Sequence, residues 1–247
     1  MELGISGRKA LVCGASRGLG FACAAALAAE GVEVTLVARN HESLLRAGAR
    51  IEETGAANVT ILAADVSTPS GREAVLAASA APDILVTNAG GPASADFRAL
   101  TLADWRGALD TNFLSAVELS RAVVGGMIQR GFGRIVNITS LTVRMPVPHL
   151  ELSNASRLAL TGFVSSVARQ LAPQGVTINN LLPGVIETER IRELGQAAQT
   201  LLAKVPAGRA GTPDEFGAVC AFLCSRQAAY ITGQNLLVDG GLCPITV

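Results

Sequence analysis

Gly14-Ala15-Ser16-Arg17-Gly18-Leu19-Gly20 follows an apolar run and precedes an alanine-rich stretch. Glycines in such a turn allow a tight bend and bring bare backbone up to a phosphate. A helix that starts there offers unpaired N–H groups and a partial positive charge to a pyrophosphate. The spacing is G-x-x-x-G-x-G, not the G-x-G-x-x-G fingerprint, so the physics transfers although the pattern does not. An NAD site places an acid near the tip of the second strand, roughly 20 residues on. This chain reads Val37-Ala38-Arg39-Asn40 there, with no acid. Arg39, together with Arg17 inside the turn, suits a 2′-phosphate. The expected cofactor is NADP(H) rather than NAD(H).

Such a turn needs a sheet behind it. Apolar runs at 10–13, 32–37, 59–62, 84–86, 135–138, 176–182 and 236–238 read as strands buried on both faces, as in a parallel sheet covered by helices. Helix-period segments at 18–30, 41–54, 69–80, 101–130, 151–173 and 212–226 alternate with them. That alternation predicts one doubly wound Rossmann-type α/β domain over 1–247, a seven-stranded parallel sheet with helices on both faces. Thr212-Pro213-Asp214-Glu215 is a helix start with a capping threonine, a proline and a returning glutamate. Residues 187–211 are expected to form a flap on the substrate side. Of the 247 residues, 49% are hydrophobic and 16% charged, which excludes disorder. Twenty basic and twenty acidic residues balance, so neither nucleic acid nor a membrane surface is an expected partner. No apolar run approaches the ~18 residues of a span. The charged N-terminal stretch and an odd five cysteines point to a cytoplasmic protein with reduced thiols. Cys220 and Cys224 share a helix face without a third ligand, so packing rather than metal is expected.

Gly14-x-x-x-Gly18-x-Gly20, Asp65-Val66, Asn88-Ala89-Gly90, Asn112, Ser140, Pro183-Gly184 and Tyr230-Ile-Thr-Gly233…Val238-Asp-Gly-Gly241 stand in a familiar order and spacing. From end to end the chain resembles the short-chain dehydrogenase/reductase family, especially its 3-oxoacyl-carrier-protein reductase-like branch. The resemblance implies a ketone or secondary alcohol as substrate, and a homotetramer or homodimer. It implies a cofactor site of Gly14, Ser16, Arg17, Gly18, Leu19 and Gly20 around the phosphates, with Asp65 and Val66 at the adenine edge. Asn88, Ala89 and Gly90 would lie beside the cofactor. Pro183, Gly184, Val185 and Ile186 would lead to Thr188 at the nicotinamide amide.

The family's catalytic set is Asn, Ser, Tyr and Lys. Asn112 and Ser140 match, but Ser153 stands at the tyrosine position and Arg157 at the lysine position. The chain's only tyrosine is Tyr230. Hydride reduction of a carbonyl develops charge on oxygen, which calls for a proton donor and an oxyanion stabiliser. Serine is a poor acid, and arginine stays charged. Arg157 would bind the cofactor ribose and stabilise the oxyanion. His149, four residues before Ser153, is the first substitute acid, provided that the helix begins early enough to align them; Pro146 and Pro148 oppose that. Glu151 is turned away from Ser153, and water held by Ser140 and Asn112 is a third source. Leu141, Val143, Met145, Val147 and Leu150 suggest an apolar or acyl-type substrate. A nucleotide-binding protein without redox activity, serving as a sensor or partner subunit, is the alternative; a lyase-type relative ranks last because the glycine turn is intact.

Overall fold

The computed structural model describes residues 2–54, 58–79, 81–189, 191 and 196–244. Seven parallel strands form one sheet in the order β3-β2-β1-β4-β5-β6-β7. They are β1 (Lys9–Cys13), β2 (Glu33–Ala38), β3 (Val59–Ala63), β4 (Ile84–Thr87), β5 (Gly133–Ile138), β6 (Val176–Pro183) and β7 (Asn235–Val238). The winding reverses between β1 and β4, so a crevice opens at their carboxyl ends, the place where such sheets take ligands.

The helices are α1 (Gly18–Ala29), α2 (His41–Glu52), α3 (Pro69–Ala78), α4 (Leu102–Leu109), α5 (Ser115–Gln129), α6 (Glu151–Leu171), α7 (Gln196–Leu202) and α8 (Pro213–Cys224). One core cluster joins the sheet to α1, α2 and α8 and includes Leu27, Leu36, Val86 and Phe216. A second joins the other face to α5 and α6 through Leu119, Met127, Leu160 and Ile178. The inner strands β1, β4, β5 and β6 are buried along nearly their whole length. The outer strands β3 and β7 correct the expectation of burial on both faces, because each has only one sheet neighbour and exposed residues.

Two further differences matter for the site. The expected helix over 101–130 is interrupted by a π-helical turn, Asp110–Leu114, which turns Asn112 inward. Helix α4 also begins with a capping box, Thr101 with Asp104, that the sequence reading passed over. The Thr212–Glu215 box forms as expected at the start of α8. Of the flap over 187–211, residues 190 and 192–195 lie outside the described residues, as do 245–247 at the end of the chain.

A row of polar side chains crosses the sheet from the end of β4 to the start of β7. Thr87 Oγ1 donates to Asn137 Oδ1 at 2.7 Å, Asn137 Nδ2 to Asn180 Oδ1 at 3.2 Å, and Asn180 Nδ2 to Asn235 Oδ1 at 2.7 Å. These four residues are partners in the strand register. Each buried amide is thereby satisfied, which is what permits asparagine in a parallel sheet. The row locks together the strands whose ends carry Asn88, Ser140 and Gly184.

Candidate active site

The first half of the site is the glycine turn. Gly14 and Gly18 have φ of 59° and 60°, where a side chain is strained. A Cβ on Gly14 would lie 2.5 Å from Asn88 Nδ2, and one on Gly20 would lie 2.3 Å from the Gly14 carbonyl oxygen. Asn88, just past β4, donates to that same carbonyl at 3.3 Å, so β4 closes the turn. Helix α1 follows an extended Arg17, and no side chain caps it. Its first N–H groups are left to an external acceptor, so the cradle fits a phosphate. The residue before the turn, Cys13, has its thiol pushed up to about 12 by burial, so it is inert packing.

Arg39 is exposed at the end of β2. Asp65, beyond β3, accepts from the Ser67 hydroxyl at 2.7 Å and the Ser67 N–H at 3.0 Å. The Ser67 hydroxyl, with a smaller contribution from Arg39, holds the Asp65 carboxyl below the usual carboxylate range. Arg17 behaves differently from the expectation that paired it with Arg39. Its guanidinium donates to Glu189, 172 residues away, beside Thr188. The Thr188 methyl is 3.8 Å from where a Cβ of Gly18 would stand. Gly184 backs on to Asp239, whose Cβ would be 2.5 Å from an added Cβ. Val185 and Ile186 turn their side chains into two separate apolar clusters. Only their backbone is left to face a ligand.

The second half is built around Arg157 on α6. This side chain is 7% exposed. Its Nη1 donates to the Ile138 and Thr139 carbonyls at 2.9 and 3.0 Å, and Nη2 to the Ala89 carbonyl at 3.4 Å. Its Nε donates to Ser153 Oγ at 3.2 Å. One guanidinium thus ties the ends of β4 and β5 to the first turn of α6. Ser140 lies two residues past the end of β5, and its Oγ accepts from the Thr142 N–H at 3.2 Å. Its hydroxyl hydrogen remains available to a ligand. Beneath these groups lies a cavity of about 10 Å³, lined by Thr87, Asn88, Asn112, Ser115 and Arg157 among others. It has room for about one water. Asn112 Nδ2 donates to the Ala108 carbonyl at 3.2 Å, while its buried Oδ1 has no protein partner.

A family model described as enoyl-(acyl carrier protein) reductase matches residues 14–243. The chain belongs to the short-chain dehydrogenase/reductase family. It is 38% identical over 246 residues to the 3-oxoacyl-[acyl-carrier-protein] reductase of Escherichia coli, covering 97% of this chain and 99% of that one. It is also similar to L-sorbose reductase from Gluconobacter frateurii, solved with NADPH and L-sorbose, at 31% identity and a TM-score of 0.92, covering 99% and 100% of the two chains. A 3-oxoacyl (acyl-carrier-protein) reductase from Agrobacterium tumefaciens with NADP bound superposes with a TM-score of 0.90 at 31% identity, covering 97% of this chain and 95% of that one.

Ser153 and Arg157 are brought together where the sequence placed the tyrosine and lysine positions. Tyr230 is fully exposed, outside α8. His149 does not align with Ser153: α6 begins only at Glu151, and His149 sits before it at φ 66°. The prolines at 146 and 148 keep the chain extended, so the helix cannot reach back to it. The His149 side chain is exposed, while its N–H donates to Glu151 Oε1 at 3.1 Å. Leu141 and Met145 pack into a satellite cluster with Val185, Val205 and Leu242, so they are spent on the protein's own interior. Sequence reasoning missed Glu189 and the polar row. Glu189 follows Thr188 directly, but nothing local signals its partner in the glycine turn.

Proposed function

We propose that this protein is an NADP(H)-dependent oxidoreductase that interconverts a ketone and a secondary alcohol through a rebuilt proton-transfer site. The glycine turn and uncapped α1 would hold the pyrophosphate, Arg39 the 2′-phosphate, and Asp65 with Val66 the adenine edge. Relatives solved with NADPH or NADP support the choice of cofactor. When bound, NADPH supplies a hydride. The chain's own work is to hold the substrate oxygen. Ser140 Oγ–H and Ser153 Oγ–H donate to it as its charge develops.

The observation that carries this reading is the Arg157 Nε to Ser153 Oγ hydrogen bond. A guanidinium donating to the oxygen polarises the hydroxyl, which makes its hydrogen a better donor. Arg157 acts through Ser153 and is a positioning residue. Asn112 and a single water in the cavity below would complete the hydrogen-bonded network. We further propose a homodimer or homotetramer. Leu102, Leu114 and Leu158, on α4, the π-turn and α6, are 64%, 40% and 55% exposed, an apolar face that a second copy would cover.

Purified protein should consume the absorbance of NADPH with members of a ketone panel, and Ser140→Ala should lower kcat/KM about 100-fold, as loss of an oxyanion donor does. Calorimetric binding of NADPH with no turnover on any ketone would overturn the reading. That outcome would instead favour a nucleotide-binding protein without redox activity, a role consistent with a guanidinium spent on main-chain carbonyls.

A further inference from the structure

We infer a second ligand site, which takes a neutral molecule with a single aromatic ring and, when filled, tightens the hold on the cofactor. It is a cavity of about 180 Å³ at the carboxyl ends of β6 and β7, beside the first turns of α8. It shares no lining residue with the small cavity beneath Arg157. An apolar hole of ~150 Å³ accepts benzene, so this one has room for one substituted ring. The side chains of Ile186, Ala207, Val219 and Val238 give it apolar walls. The polar groups around it are spent on one another. The Gly211 N–H donates to the Val185 carbonyl at 3.0 Å, and the Gly211 carbonyl accepts from the Glu187 N–H at 2.9 Å. The Gly240 carbonyl accepts from the Ala207 N–H at 3.1 Å, and the Val238 carbonyl from the Gly184 N–H at 3.0 Å. Asp239 accepts from the Gly241 and Cys243 N–H groups at 2.9 and 2.8 Å. A charged or polyhydroxylated guest would give up its water there and find few partners.

The group at the rim that still has something to offer is Arg209. Its Nη1 and Nη2 donate to the two carboxylate oxygens of Glu215 at 2.9 and 2.6 Å, and Nη1 also donates to the Ala210 carbonyl at 3.0 Å. Those bonds use the edge of the guanidinium and leave its flat faces suited to stacking on an aromatic ring. Apolar walls sized for one ring, with a planar cation at the rim, favour an aromatic guest over a saturated one. The cavity also touches the cofactor's support. Ile186 and Gly211 pair as a short parallel bridge. Two residues beyond Ile186 is Thr188, where the family resemblance puts the nicotinamide amide, and the coupling rests on that cofactor reading. A ring packed on Ile186 and Gly211 stiffens this stretch, so the cofactor has less of it left to order. Linkage makes the effect mutual: NADPH tightens the ring as much as the ring tightens NADPH.

The test uses the whole protein with 4-fluorotoluene as probe, followed by fluorine NMR, beside its saturated counterpart 1-fluoro-4-methylcyclohexane. Saturable binding of the aromatic probe with a Kd of about 1 mM or below is expected, and the saturated ring should bind at least about threefold more weakly. Val219→Phe and Ala207→Leu each fill the space, and each should weaken the probe at least about tenfold. Ala207 is exposed, so its substitution puts little strain on the fold. Both variants should bind NADPH as the unaltered protein does by calorimetry, which also reports that they are folded. The probe at saturation should tighten NADPH about fivefold, to a plateau. Absence of saturable binding, equal binding of the saturated ring, or binding indifferent to both substitutions would overturn the inference. So would an unchanged NADPH affinity, or a steady weakening that marks competition for the cofactor crevice. All of these outcomes leave the reductase reading intact, whereas failure of NADPH itself to bind would overturn both.

Discussion

Arg39 and Arg17 look equivalent in the sequence, and the structure separates them. Arg17 is engaged by Glu189, whereas Arg39 makes no side-chain hydrogen bond among the described residues, and its charge adds a small part to the lowering of the Asp65 pKa. We therefore propose Arg39, rather than Arg17, as the residue that selects a 2′-phosphate. Arg39→Ala should weaken NADPH binding about tenfold to a hundredfold, the range of hydrogen bonds to charged groups, and leave NADH binding unchanged. Fluorescence titration with both coenzymes would check this. The same scale shows a limit of sequence reading. That Ser153 and Arg157 stand one helical turn apart was visible from their spacing. That the guanidinium would be turned on to the Ile138 and Thr139 carbonyls was not, because those acceptors lie on a different element.

The strand ends owe their alignment to a device that periodicity does not reveal. Thr87, Asn137, Asn180 and Asn235 look like interruptions in apolar runs, and they make sense only once register pairs them. Asn137→Leu would leave Thr87 and Asn180 each short of a buried partner, at a cost of about 3 kcal/mol by denaturant titration. Caps, by contrast, are local and legible, as at Thr212. There Glu215 accepts from Arg209 and from the Thr212 N–H, and chiefly the Arg209 hydrogen bond lowers its pKa from 4.5 to about 2. A carboxyl depressed on folding adds stability above its ordinary pKa and loses it as pH falls through the folded value. Glu215→Gln should thus lower the melting temperature at neutral pH, and the difference should close as pH falls from 4.5 to 2. Thermal melts across that window would show it.

At the scale of the whole molecule, α4, the π-turn and α6 present leucines that are about half exposed. Leu102→Lys with Leu158→Lys should convert an oligomer to a monomer in analytical ultracentrifugation, with little loss of fold because both side chains are already solvated. A wild-type protein that sediments as a monomer would remove the oligomer proposal. By itself the sequence determined the alternation of strands and helices, the glycine turn after the first strand, and the placing of Ser153 and Arg157 four residues apart. Each depends on residue type and near-neighbour spacing, which a linear chain displays. Tertiary structure alone decided that a π-turn would point Asn112 inward, that Arg17 would take Glu189 as its partner, and that Arg157 would donate to Ser153 while bolting two strand ends to α6. Those outcomes depend on how distant segments cross over the sheet, and hydrogen bonds between them exist only after that crossing is made.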